Sequence, residues 1–325
     1  QSFRIGVDVG GTFTDVVGND DATGELRWSK ASSTPAGPAA GVLAALERSE
    51  VDLAQVDRFV HGVTIGTNAL LERKGAEVWM ITTRGFGDTL EIARTNRTTL
   101  YDIKTLKPAP LVPRYRVIEV DERMLADGSV ETPLDLDQVA AAATRLAKLA
   151  PAALAVGFLN SYVNAEHENA AVDLLRRRLP GWFVCGSAEV LPEMREYERT
   201  NTAALNATIG PVMARYLGAL AESLRGRGYR HAVFLMVSNG GIVTAERAAR
   251  FPVQTVLSGP AGGVAASTHL GELLGIRNLI TYDMGGTSTD VCLIDDLEIP
   301  VTTEQVIDTC FDALNKQKRR PKTTT

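Results

Sequence analysis

Cysteine is scarce in this chain, 3 in 325 residues, at positions 185, 292 and 310. Their wide separations give no CxxC pair and no metal-ligand spacing, which excludes a disulfide framework and a cysteine-built zinc site. A reducing cytoplasm is the expected compartment. Positive charge is also in deficit, with 34 Lys and Arg against 39 Asp and Glu. No broad basic surface is left for nucleic acid, which is therefore not an expected partner. Long hydrophobic runs are missing, and the opening Gln1–Gly11 has no charged start followed by an apolar core. Neither a membrane span nor a secretory signal is expected. What the chain does have is 45% hydrophobic residues, enough to bury the cores of about two domains.

Those residues are distributed as an alternation of strands and helices. Phe3–Val9 and Phe13–Val17 are β-prone runs broken by Gly10 and Gly11, which predicts a hairpin. Further strands are expected at Leu26–Lys30, Arg58–Val63, Glu77–Thr83, Ala153–Asn160 and Trp182–Ser187, with helices between them in Gly41–Glu50, Thr67–Gly75, Leu136–Ala150 and Ala165–Leu179. This is an α/β pattern. From Asn201 to Gly228 the chain reads as a long helix that Gly210 and Pro211 interrupt or bend. Beyond it lie a strand at His231–Ser238 and a strand, glycine loop and helix in Val253–Gly275. The change of rhythm divides the chain into residues 1–190, residues 191–308 and a basic tail, residues 309–325.

One pattern occurs twice. Asp8-Val-Gly-Gly-Thr-Phe-Thr-Asp-Val returns as Asp283-Met-Gly-Gly-Thr-Ser-Thr-Asp-Val, identical at seven of nine positions and each time flanked by apolar runs. Glycines at 10, 11, 285 and 286 let a backbone approach a phosphate and point N–H groups at it, while Thr12, Thr14, Thr287 and Thr289 can donate hydroxyls. Asp8 and Asp283, at the strand ends, can hold Mg²⁺ directly or through water. A single copy is equally a tight hairpin whose Asp and Thr satisfy turn amides. Two copies favour a divided ATP site, with Asp15 and Asp290 serving as metal contacts or as pairing groups.

With that repeat in place, the chain resembles the superfamily of actin, Hsp70-type chaperones and sugar kinases. The wording GVDVGGTFTDVV, HGVTIGTNALLERKGA, TTRGFGDTLEIAR, EYERTNTAALNA, SNGGI, SGPAGGV and YDMGGTSTDV, in that order over Arg4–Thr303, is similar to the hydantoinase A, oxoprolinase and acetone carboxylase family. The resemblance implies an actin-like, ribonuclease H-like ATPase fold with two α/β domains around a nucleotide cleft. It also implies ATP-dependent phosphorylation and opening of a small cyclic amide, with ATP and Mg²⁺ as cofactors and a hydantoinase B-type subunit as partner in a hetero-oligomer. A ketone-activating carboxylase subunit, a small-molecule kinase and a non-catalytic nucleotide-binding protein are the alternatives. The family subunit normally runs to about twice this length, so the second domain is expected to be incomplete.

Other residues are candidates in the same frame. His61 resembles the histidine of the family's HGTT-type motif and is expected to face the cleft as a catalytic or ligand group, the other reading being a hydrogen-bonded loop histidine. Thr64, Thr67 and Asn68 cluster with it, Asn68 where a helix should start. Arg84, Asp88 and Arg94 share a glycine-bearing loop and suit substrate or the transferred phosphoryl, surface pairing being the alternative. Glu196, Glu198 and Arg199 follow the same logic. SGPAGGV opens a helix and reads either as an anion site or as close helix–strand packing.

Overall fold

The computed structural model describes residues 2–33, 37–95, 101, 104, 107–150, 152–284 and 289–299. Gly285, Gly286 and Thr287, the side chain of Thr289, and the tail expected over residues 309–325 lie outside the described residues. The chain forms two compact units that are not consecutive in sequence, Gln1–Ala69 with Val212–Val301, and a second built on Leu70–Pro211. The linear division at residue 190 follows the change of rhythm; the division between the compact units falls at Pro211, inside a helix.

The first unit begins with β1 (Phe3–Val9), β2 (Phe13–Asp20), β3 (Leu26–Ser32), α1 (Pro38–Ser49) and β4 (Val56–Val63), and α2 (Ile65–Leu71) leads out of it. In β1 strict alternation buries Phe3, Ile5, Val7 and Val9 and leaves Arg4, Gly6 and Asp8 on the other face. The period of two thus turns Asp8 away from the core.

The second unit carries β5 (Val78–Thr83), α3 (Thr89–Ile92), β6 (Val117–Val120), β7 (Arg123–Met124), β8 (Val130–Thr132), α4 (Leu136–Leu146), β9 (Ala153–Gly157), α5 (Glu166–Arg178), β10 (Phe183–Gly186), α6 (Ser187–Val190) and the first half of α7 (Glu196–Gly226). Its main sheet, ordered β10-β9-β5-β6, is parallel throughout. Parallel strands are covered on both faces, and all five residues of β9 are buried accordingly. Leu154 and Val156 pack there with Val139, Leu146, Val172 and Leu175 of α4 and α5.

The chain then returns to the first unit with β11 (Val233–Met236), β12 (Ile242–Thr244), α8 (Ala245–Arg250), α9 (Ser258–Leu274), β13 (Leu279–Met284) and β14 (Thr289–Ile294). The six-stranded sheet of this unit has the order β12-β11-β4-β1-β2-β3, with β1, β4 and β11 parallel and the remaining pairs antiparallel. One core joins its inward face to Val42, Ala45 and Leu46 of α1 and to Met213, Tyr216, Leu217 and Leu220 of α7. Each of the buried Val, Leu and Met side chains among them stabilises the fold by about 1.5–3 kcal/mol.

Four expectations change. Residues 253–257 are not a strand: Pro252–Thr255 forms a 3₁₀ turn, and Leu257 adopts φ 62°. The SGPAGG stretch is the start of α9 rather than a loop, which Pro260 tolerates because first-turn N–H groups have no partner within the helix. Helix α7 runs unbroken over 31 residues with Pro211 inside it, flanked by the buried Ile209 and Met213. The helix after His61 ends at Leu71, because Arg73 takes φ 52°, and Gly75 instead packs so closely that an added Cβ would lie 2.2 Å from Thr208 Cγ2. Among the described residues, no helix is long and apolar enough to cross a membrane.

Candidate functional site

The first hairpin is closed by Gly10 N–H donating to Phe13 O at 2.9 Å. Ser33, just past β3, locks its tip: the Ser33 N–H donates to Thr12 O at 2.9 Å and its hydroxyl to Gly10 O at 2.8 Å. These bonds hold the turn while Gly11 and Thr12 remain exposed. Thr14 departs from its expected role. It is fully buried, and its Oγ1 lies 3.2 Å from Ser33 Oγ, so it braces the hairpin from behind instead of offering a hydroxyl at its open side.

Asp8 is the last outward-facing residue of β1. It stands opposite Asp15 on β2 and Gly62 on β4. Its pKa is raised, first by the protein packed around the carboxyl, then by the charges of Asp15 and of Asp283. The Asp8 residue keeps solvent access at its edge, so the position is one where a cation can enter and relieve the repulsion. Asp15 is itself paired with Lys30 at 3.0 Å.

Asp283 occupies the same place in the second hairpin, opposite Asp290. Both line a cavity of about 300 Å³ with Thr281 and Cys292 of the hairpin and Ser267 of α9. Among the described residues no three or more His, Cys, Asp or Glu side chains converge on one metal position. Two carboxylates fit Mg²⁺, which keeps several waters and takes the rest of its ligands from phosphate oxygens.

The start of α9 is brought to the same region of the unit. The Leu257 N–H donates to Thr67 Oγ1 at 3.2 Å, Ser258 Oγ to Val63 O at 3.4 Å, and Thr64 Oγ1 to Val9 O at 2.9 Å. A 17-residue helix thus begins beside the ends of β1 and β4, where its N–H groups and dipole favour an anion. Close packing and anion binding are compatible here. Thr64 and Thr67 hold this junction together with their hydroxyls, and Asn68 sits within α2 rather than at its start.

His61 does not face a cleft. It is completely buried, with Nδ1 3.4 Å from Val7 O and Nε2 2.5 Å from the Tyr216 hydroxyl oxygen. A carbonyl only accepts, so Nδ1 carries the proton and Nε2 accepts from Tyr216. Burial lowers the His61 pKa to about 4, keeping the ring neutral. The alternation of β4 places it on the core side, the same face as Phe59 and Val63. It is a core histidine.

Arg84, Asp88 and Arg94 all lie in the second unit, and each is engaged. Arg84 pairs with Asp121, Asp88 with Arg114 at 2.7 Å, and Arg94 with Glu198. Arg199, fully buried, donates to Phe158 O at 3.0 Å, Glu193 O at 3.0 Å, Ser187 Oγ at 3.2 Å and Glu196 Oε1 at 2.8 Å. The buried Glu168 accepts from the same Ser187 hydroxyl at 2.8 Å and from the Phe158 and Ala188 N–H groups at 3.1 and 2.6 Å. This network ties together the carboxyl ends of β9 and β10. Two residues of the first unit that matter were not singled out from sequence: Ser33, which has no motif, and Gly62, whose only signal is its place beside His61.

The chain is similar to known proteins along most of its length. The profile described as hydantoinase/oxoprolinase N-terminal region matches residues 4–179, and the profile described as hydantoinase/oxoprolinase matches residues 199–319. Caprolactamase subunit alpha of Pseudomonas jessenii is 37% identical over 308 residues, covering 90% of this chain and 43% of that one. The crystal structure of the ATP-dependent caprolactamase from the same organism aligns with a TM-score of 0.74 at 34% identity, covering 89% of this chain and 43% of that chain. A nucleotide-free acetone carboxylase structure aligns with a TM-score of 0.83 at 30% identity, covering 96% of this chain and 46% of that chain. The 5-oxoprolinase of Saccharomyces cerevisiae is 30% identical over 340 residues, covering 91% of this chain and 26% of that one. The chain therefore spans less than half the length of these relatives. The fold is α/β and of the actin-like ATPase class.

Proposed function

The chain belongs to the hydantoinase/oxoprolinase family, and from that premise we propose that it is a subunit of an ATP-dependent enzyme that activates and opens a small cyclic amide. The observation that carries this reading is that Asp8 and Asp283 hold the same register position in two hairpins of one unit, opposite Asp15 and Asp290. The Asp283 charge is also the last of the three causes, after burial and Asp15, that raise the Asp8 pKa. In this reading the two aspartates serve a single cation.

In this reading Asp8 and Asp283 hold Mg²⁺, directly or through water. Gly10, Gly11 and Thr12, with Gly285, Gly286 and Thr287 of the repeat, receive the phosphates, and the start of α9 adds its N–H groups. The bound nucleotide supplies the phosphoryl group that makes an amide carbonyl electrophilic. The protein's own contribution is positioning and charge neutralisation. Arg84, Asp88 and Arg94 remain candidates for substrate only if their present partners release them. A hydantoinase B-type subunit completes the enzyme, in keeping with relatives named as alpha, beta and gamma subunits. Free Cys185 and Cys292 suit a reducing cytoplasm.

A second reading is a ketone-activating carboxylase subunit, supported by the 0.83 TM-score to acetone carboxylase. Dependence of ATP turnover on bicarbonate and a ketone, with no response to lactams, separates it from the first.

The test is calorimetric titration with a non-hydrolysable ATP analogue, with and without Mg²⁺, on the unsubstituted chain and on Asp8→Ala and Asp283→Ala. Magnesium-dependent binding lost in both variants is expected. Unchanged binding in either variant would sink the shared-cation site.

A further inference from the structure

Helix α7 carries a glycine, Gly218, that packing does not explain. A glycine inside a helix costs stability relative to alanine, yet a Cβ added here would meet nothing within 4 Å. The position belongs to a row. Ala214, Gly218, Ala221 and Arg225 follow one another at helical spacing, which puts them on one face of the second half of α7. That face and the α8 residues Ala245, Glu246 and Ala249 line a groove of about 380 Å³. The buried Leu217 and Val233 belong to the same lining, so the groove rests on the core of the first unit. It is open because no apolar side chain of the row is long enough to fill it. Its volume lies in the range of small-molecule sites, about 300–1,000 Å³.

Small residues alone would make only a packing surface, and two charges give the groove a ligand chemistry. Arg227 is paired with Glu47, and His231 lies 3.8 Å from Asp57. The Tyr229 hydroxyl is engaged as well, donating to Ala232 O at 2.7 Å. Among the described residues Arg225 and Glu246 have no such partner, and they do not pair with each other although both line the groove. One guanidinium, one carboxylate and an apolar wall are matched by a molecule that carries a carboxylate and an ammonium on one short methylene chain.

We propose that this groove binds an amino acid whose carboxylate meets Arg225, whose ammonium meets Glu246 and whose methylene chain lies along Gly218 and the neighbouring alanines. The inference rests on the cyclic-amide reading for the source of that molecule. When a lactam is opened, the acyl carbon gains, in the net reaction, an oxygen from water and becomes a carboxylate. The ring nitrogen takes up protons and becomes an ammonium on the same chain. The product is thus the zwitterion that the groove fits, whereas the closed lactam carries neither charge. The groove shares no lining residue with the cavity at Asp283, so the product is bound here as a regulator and not as a reactant.

The experiment is calorimetric titration of the 325-residue chain with γ-aminobutyrate, δ-aminovalerate and ε-aminocaproate, with butyrate and butylamine as singly charged controls. One site per chain is expected, and at least one of the amino acids should bind about tenfold or more tighter than either control. Arg225→Gln and Glu246→Gln should each weaken that binding by about tenfold. Gly218→Leu fills the groove without touching either charge; it should abolish the binding and not lower the melting temperature, leucine being the better helix former. All three variants should bind the ATP analogue as the unsubstituted chain does. No saturable binding of any of the amino acids, equal binding of a control, or undiminished binding in the variants would overturn the inference. Amino acid binding by a chain that fails to bind the ATP analogue would remove the lactam reading and leave the zwitterion site standing; binding of the analogue without any amino acid would do the reverse.

Discussion

Gly62 lies across the β1–β4 ladder from Asp8, and the space a side chain would need there is taken: an added Cβ would sit 3.1 Å from Asp8 Oδ1. Replacing Gly62 with Ala ordinarily favours a strand, by about 0.5–1 kcal/mol. Here the methyl group makes the Asp8 carboxylate give way by a few tenths of an ångström. Gly62→Ala should leave the melting temperature nearly unchanged and weaken magnesium-dependent nucleotide binding by about tenfold, roughly 1.4 kcal/mol. Calorimetry on a variant that melts normally checks both halves; unaltered affinity would remove Asp8 from the cation site.

Asp8 itself is held against its own charge. Its folded-state pKa lies above the ordinary 3.8 because of surrounding protein, Asp15 and Asp283. Above the folded pKa, ionised Asp8 costs stability, and the cost fades as pH falls toward 3.8 and both states become protonated. Asp8→Asn should therefore melt higher than the unsubstituted chain at pH 7, with the difference closing near pH 3.5. Mg²⁺ with the ATP analogue should stabilise the unsubstituted chain and not the variant.

The His61–Tyr216 pair predicts the opposite pH slope. His61 titrates at about 4 when folded, below its ordinary 6.5, so the unfolded chain takes up the proton first. Its contribution to stability is complete above pH 6.5 and declines as pH falls toward 4. In urea denaturation at pH 7, 5.5 and 4.5, His61→Gln should lessen that decline. Tyr216→Phe leaves Nε2 without its donor and should cost about 1–3 kcal/mol at pH 7.

Arg199 should be the most sensitive position of the second unit. It satisfies two backbone carbonyls, a serine and a glutamate from full burial. Arg199→Met strands Glu196 and those carbonyls, and a loss of about 3–5 kcal/mol is expected in chemical denaturation. A loss under about 1 kcal/mol would show that the network is not what joins β9 to β10.

The parts of this fold legible in the sequence are those fixed by local periodicity. Alternation in Phe3–Val9 announces both the strand and the outward turn of Asp8, and the repeat announces the second hairpin. For His61 the motif and the register point in opposite directions, and the register prevails: in β4 it shares the inward parity of Phe59 and Val63. The same holds for Thr14, which shares the buried parity of Val16. The α9 start read as a loop because glycine and proline usually end helices, yet at a first turn neither removes a helical hydrogen bond. The pairing partners of Arg84, Asp88 and Arg94 lie 26 to 104 residues away, beyond any local pattern.

The first unit is split in sequence, and that governs the order in which it can be made. Phe59 on β4 pairs with Val233 on β11, so β4 leaves the ribosome with one edge waiting on the order of ten seconds or more for its neighbour at ordinary translation rates. The parallel sheet of the second unit is synthesised entirely within that interval. The inserted unit can fold as a separate body while β1–β4 stay incomplete, which makes its completion the event that precedes assembly of the Asp8 site rather than one that follows it.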